Sequence, residues 1–183
     1  MSRIVHSFDW PDRFVVGTLG QPGSRTFYLQ ARTKAEIVSV ALEKEQSAAL
    51  AEQIDKLLDQ LMSHPDNPFS VPESPPERLL DDDPLDQPVE EQFRVGALTL
   101  GWDASTSQIV IEALAAPEVD PETLEPLAPE PEESLVVRIP VGAARAFAER
   151  TRAVVGAGRP LCPLCREPVD PHGHVCDLTD GFP

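Results

Sequence analysis

Phe14-Val-Val-Gly-Thr-Leu19 and Phe93-Arg-Val-Gly-Ala-Leu98 carry Phe, Val, Gly and Leu at matching places, and the segments downstream of each decide the fold. After the first, Gly20 closes the apolar run and Gln21-Pro-Gly-Ser24 reads as a turn. Thr26 to Ala31 is a second strand, with Phe27 and Tyr28 suited to a pleated face. Thr33-Lys34 is a tight reversal, and Glu36 to Leu42 a third strand. A helix comes next, over 46–63, with Ser47 as its N-cap. Leu50, Ile54, Leu57, Leu58 and Leu61 fall on one stripe of it, and His64-Pro65 ends it.

The second motif leads into the same plan. Gln108 to Ala113 parallels Thr26 to Ala31, Val137-Arg-Ile139 matches Val40-Ala-Leu42, and Phe147-Ala-Glu149 matches Leu50-Ala-Glu52. This self-similarity predicts two copies of a β-β-β-α unit. The expected fold class is α+β: six strands in a mainly antiparallel sheet, with both helices covering one face. The second helix, over 142–155, turns Ala144, Phe147, Ala148, Thr151 and Val155 inward and Arg145, Glu149 and Arg152 outward.

Charge divides the chain in the same way. Of its 183 residues, 31 are Asp or Glu and 15 Lys or Arg, for a formal net charge of −16. Residues 64–92 hold nine acids against Arg78 alone, and residues 115–134 hold seven acids and no base. These two segments therefore carry nearly all of the net charge, together with 12 of the 20 prolines. Such stretches are expected not to pack. The resulting division is a first unit over 1–63, an acidic Pro-rich linker over 64–92, a second unit over 93–156 with an acidic loop at 115–134, and a tail at 157–183. No apolar run approaches the ~20 residues of a membrane span. The opening Met-Ser-Arg-Ile-Val-His-Ser-Phe-Asp-Trp lacks the apolar core of a secretory signal, so the expected location is cytoplasmic.

All three cysteines lie in the tail, within Cys162-Pro-Leu-Cys165 and His172-Gly-His174-Val-Cys176. An odd number of thiols cannot close internally as disulfides, and a reducing compartment disfavours them. Two cysteines separated by two residues form a rubredoxin-like knuckle that offers two thiolates to one ion. Zinc takes four tetrahedral N and S ligands. Cys162, Cys165 and Cys176 supply three of them. His174 is the favoured fourth, because residues i and i+2 of an extended piece point the same way; the alternative is His172. Four protein ligands leave no position for a reacting water, so the expected cofactor is a structural zinc ion.

The FRVG strand, the Val137-Arg-Ile-Pro140 helix entry and the Cys-Pro-Leu-Cys…Gly-His-Val-Cys tail together resemble a family of uncharacterised actinobacterial proteins, grouped as a domain of unknown function with a zinc-ribbon-like tail. The resemblance spans most of the chain apart from the two acidic segments. It implies metal binding at Cys162, Cys165, His174 and Cys176 and a bacterial cytoplasmic setting, and it brings no activity.

The chain contains no phosphate-binding Gly-rich motif, no nucleophile elbow and no His-Glu-x-x-His. His6 with Asp9 and Trp10 could line a pocket, although a structural histidine is the simpler reading. His64 suits the C-terminal end of a helix dipole. Asp81-Asp82-Asp83 reads as a solvated run. Between 138 and 166, Arg138, Arg145, Arg150, Arg152, Arg159 and Arg166 face Glu149 and no other acid. Self-pairing with the acidic segments or docking of a protein partner is the favoured use of this basic cluster, ahead of nucleic acid. The function expected from these features is a non-enzymatic binding or adaptor protein. The alternatives are an enzyme with a cleft between the repeats, lined by His6, Asp9, Arg25 or Arg94, that acts on phosphate esters or nucleotides, and a nucleic-acid binder acting through the second helix and tail.

Overall fold

The computed structural model describes residues 3–169 and 173–176. Seven strands form one sheet: β1 Ile4–Asp9, β2 Arg13–Leu19, β3 Thr26–Thr33, β4 Glu36–Leu42, β5 Glu91–Asp103, β6 Gln108–Ala115 and β7 Glu133–Pro140. Helix α1, Lys44–Met62, lies between β4 and β5, and α2, Val141–Gly156, follows β7. The order across the sheet is β1-β7-β6-β5-β4-β3-β2.

The class is α+β as expected, but the sheet is mixed and has one strand more than predicted. Within each half the strands are antiparallel. The halves join where β4 runs parallel to β5, because a helix between two strands returns the chain to the same end of the sheet. The extra strand, β1, pairs parallel to β7 from Ile4↔Glu133 to Asp9↔Arg138. Of its side chains only Phe8 is buried, so it carries little apolar periodicity and is held by its backbone. The elements follow the order β-β-β-α twice after β1. The glycine shared by the two motifs has a different task in each half. A Cβ on Gly17 would sit 2.5 Å from Leu85 Cγ, and one on Gly96 would sit 2.7 Å from the Ala116 backbone.

The core lies between the sheet and the two helices, which pack against each other. Leu29, Val40, Ile54, Leu58, Ile109, Ile111, Val137 and Phe147 belong to one cluster. Phe14 of β2 stacks on Phe147 of α2, with ring centroids 4.5 Å apart. Helix α1 starts two residues before its expected range. Glu43 is its N-cap, and the Glu43 N–H is accepted by Gln46 Oε1 at 2.8 Å. Ser47 is buried and donates its hydroxyl to the Glu43 carbonyl. Arg145, expected on the outer face of α2, is buried instead. That face meets α1, and its guanidinium bonds Asp55, Asp59 and the Pro72 carbonyl.

Residues 64–92 are packed, against the expectation from their composition. Asn67 clamps Val71 through two hydrogen bonds, and Val71 and Leu85 are buried. Asp81 receives Arg13 and Arg150, whose side chains are only 9% and 10% exposed. Further on, Asp86 meets Arg13 at 3.2 Å, and its N–H is accepted by the buried Gln30. The segment is a strap that runs from the end of α1 past β2 to β5. Two of its carboxylates, Asp81 and Asp86, meet arginines remote in sequence, and a count of local charge cannot show such pairs.

Candidate metal centre

After α2 the chain makes a tight reversal. Leu161 and Pro168 form a bridge; the Cys162 N–H bonds the Glu167 carbonyl at 2.8 Å, and the Arg166 N–H bonds the Cys162 carbonyl at 2.9 Å. Arg166 takes the left-handed conformation, with φ +61. The turn places Cys162 and Cys165 side by side. Gly173, with φ +118, a conformation open to glycine, starts the short piece that returns His174 and Cys176 to them.

The donor atoms of Cys162, Cys165, His174 and Cys176 all lie within 4.8 Å of one another and could hold a metal ion. Cys162 and Cys176 are buried, with their Sγ atoms 3.9 Å apart. A tetrahedral ion bound at about 2.3 Å to sulfur spaces its sulfurs by about 3.8 Å, so this pair already stands at the edge length of such a site. Cys165 Sγ and His174 Nε2 are closer, at 2.9 Å, inside the ~3.5 Å that a shared tetrahedral ion would set between sulfur and nitrogen. The three cysteines are thiols, with no disulfide among them. Backbone N–H groups of Cys165 and then Leu164 point at Cys162 and lower its thiol to about 6. At Cys165 the Glu167 N–H acts in the same direction, but desolvation and the neighbouring sulfurs of Cys162 and Cys176 outweigh it and push that thiol up. The backbone of the turn thus favours the thiolate at Cys162, and the neighbouring sulfurs disfavour a second at Cys165. His172, the alternative fourth ligand, lies outside the described residues.

The other sequence candidates are dispersed. His6 Nε2 lies 2.6 Å from Glu133, Asp9 accepts from Gln108 at 2.8 Å, and Trp10 is exposed. Arg25 lies over the Phe27 ring, 5.0 Å from its centroid. It shares a cleft of about 470 Å³ with Arg94, Arg159, Leu161 and Lys44, away from His6 and Asp9. His64 makes an edge contact with Phe69. Four arginines of the basic cluster pair within the chain: Arg138 with Asp103, Arg145 and Arg152 with Asp55, and Arg150 with Asp81. A second cleft, of about 360 Å³ and lined by Trp10, Arg13, Phe14, Arg78, Phe147 and Arg150, is not legible in the sequence, because its walls come from segments far apart in the chain.

Fold and site together define a small mixed-sheet α+β protein with a three-thiol, one-imidazole centre on a C-terminal tail. The chain belongs to the family described as protein of unknown function, DUF3090, whose profile covers residues 6–176. Comparison with curated proteins and with solved structures returns no match. Among the described residues, no helix is long and apolar enough to cross a membrane.

Proposed function

We propose that Cys162, Cys165, His174 and Cys176 hold one structural zinc ion, and that the protein is a non-enzymatic binding or adaptor protein of a reducing compartment such as the cytoplasm. The observation that carries this reading is the donor set. Three sulfurs and one nitrogen match zinc in chemistry, and four protein ligands leave no coordination position for substrate or water. A thiol site of this kind is durable where thiols stay reduced. The repeated β-β-β-α order supports reading the body as two related units that present a surface.

Of the polar groups that a catalytic reading would recruit, His6 bonds Glu133 and Asp9 bonds Gln108, away from the cleft that Arg25 and Arg94 share. Arg138, Arg145, Arg150 and Arg152 pair with the chain's own acids, which supports the self-pairing reading of this part of the basic cluster over nucleic acid. The test is elemental analysis of protein purified without chelator, with the expected result of about one zinc per chain, lost in C162S. Absence of metal, with all three thiols titrating, would refute the zinc. The adaptor role is tested by capture from a native extract on wild-type and C162S chains. Turnover of a phosphate ester or nucleotide would refute it.

A further inference from the structure

The exposed acidic loop repeats the metal knuckle bond for bond along the backbone. Val119-Asp-Pro-Glu-Thr-Leu-Glu-Pro-Leu127 aligns with Leu161-Cys-Pro-Leu-Cys-Arg-Glu-Pro-Val169, sharing a Pro after the first ligand position and a Glu-Pro pair at the end. Val119 bridges Pro126 as Leu161 bridges Pro168. The Asp120 N–H bonds the Glu125 carbonyl as Cys162 bonds Glu167, and the Leu124 N–H bonds the Asp120 carbonyl as Arg166 bonds Cys162. The Leu127 N–H bonds the Glu118 carbonyl as Val169 bonds Pro160. Leu124 is left-handed at φ +58 and Arg166 at φ +61.

The side chains correspond too. Asp120 Oδ1 accepts the N–H groups of Glu122 at 2.8 Å and Thr123 at 3.1 Å. Cys162 faces the N–H groups of the equivalent Leu164 and Cys165. Thr123 Oγ1 receives the Glu125 N–H at 3.4 Å, and Cys165 faces the Glu167 N–H. A carboxylate oxygen therefore stands where the first sulfur stands, and a hydroxyl oxygen where the second does. Among the described residues, the side chains whose donor atoms gather to hold an ion are those of the tail, so the acidic copy closes on its own hydrogen bonds.

We propose that residues 118–127 are a metal-independent counterpart of the metal knuckle, with Asp120 acting as Cys162 and Thr123 as Cys165, and that the tail knuckle 161–169 is accordingly formed before an ion arrives. The ion's work is then to capture His174 and Cys176, so metal occupancy governs the docking of residues 173–176 rather than the folding of the whole tail. This second half rests on the metal reading above; the first half does not. It also gives the acidic loop a rigid frame on which Val119, Leu124 and Leu127 stay exposed.

The test is amide hydrogen exchange by NMR on the full chain, as purified and after chelator treatment, with metal content measured on both samples. After stripping, the amides of Cys162, Arg166 and Val169 are expected to stay protected within about threefold, while the side-chain resonances of His174 and Cys176 shift away from their metal-loaded positions. Loss of protection at Cys162, Arg166 and Val169 on stripping would overturn the preformed knuckle. In the acidic loop, D120A is expected to speed exchange at Leu124 and Leu127 at least tenfold, and D120N, which keeps the acceptor oxygen, to leave them near wild type. Unchanged exchange in D120A would overturn the equivalence, and this arm reads out whether or not the tail carries metal. Retained thermal unfolding of D120A would confirm that its effect is local.

Discussion

Replacing Asp81 by Asn tests whether the acidic strap is held by ion pairing. The Asp81 carboxylate meets Arg13 at 2.7 Å and Arg150 at 3.0 Å, and both guanidiniums are nearly buried. Removing one partner from a buried pair costs ~3–5 kcal/mol, because a charge is left without compensation. Here the loss is smaller. Arg13 keeps Asp86 at 3.2 Å and the carbonyls of Asp83 and Pro84, and Arg150 keeps the carbonyls of Val16 and Asp83. With Asn still able to accept one bond, a loss of ~2–3 kcal/mol at neutral pH is expected from the worth of charge-assisted hydrogen bonds. At a urea slope of ~2 kcal/mol per molar, the unfolding midpoint followed by circular dichroism should fall by about 1–1.5 M. The pH dependence gives a second readout. The Arg13 hydrogen bond holds the Asp81 carboxyl below its ordinary 3.8. A depressed folded-state value means that the stabilisation is fully present above 3.8 and is lost as pH falls below it. The gap between wild type and D81N should therefore be constant from pH 7 to about pH 5 and narrow below about pH 4. A midpoint shift under 0.3 M, or a gap that fails to narrow in acid, would show that the strap is held by packing alone.

Other contacts give three more expected outcomes. Gly17→Val should destabilise by ~1–3 kcal/mol through collision with Leu85, and L85A should recover part of that loss in a double-mutant cycle read by urea unfolding; additive effects would contradict the contact. Arg145→Met should lower stability by ~2–3 kcal/mol, since it removes bonds to Asp55 and Pro72, and Arg145→Lys should recover less than half because a single ammonium cannot replace a fork. In the tail, H174A should weaken zinc retention in a chelator competition, and zinc should be released on acidification because protons compete for its thiolates and imidazole. Neither change should move the main thermal transition, because the sheet and helices bury their core without the tail; loss of global folding on chelation would refute that independence.

Much of the body is legible in the sequence because its signals are local. The strands β2, β3, β4 and β6 and both helices follow from apolar spacing in single segments, and the knuckle follows from two cysteines two residues apart. The features that escape depend on partners distant in sequence. Strand β1 has one buried side chain and is recruited by β7. The parallel join of β4 to β5 is a property of the crossover, which no residue type announces. Arg145 falls outside on a helical wheel, which shows a face but not its cover, and α1 covers that face. The strap reads as unpacked when its acids are summed without Arg13 and Arg150, which lie about 70 residues away on either side.

The acidic loop escapes for a different reason, and it bears on how such sites are recognised. A metal knuckle is identified from sequence by its cysteines, because thiolates imply an ion. Its backbone, however, is set by the N–H groups that converge on the first ligand and by the left-handed residue that follows the second. Both features persist at Asp120 and Leu124 although neither sulfur is present. A carboxylate accepts the same convergent donors, so one negatively charged acceptor can replace the other while the turn is kept and metal affinity is not. Composition places 115–134 among the solvated segments; the positions of its Asp, Thr and Glu-Pro, set against the tail, place it among the knuckles. On the metal reading proposed above, the tail's dependence on metal falls at His174 and Cys176, which the acidic loop does not reproduce, rather than at Cys162 and Cys165, whose turn it does.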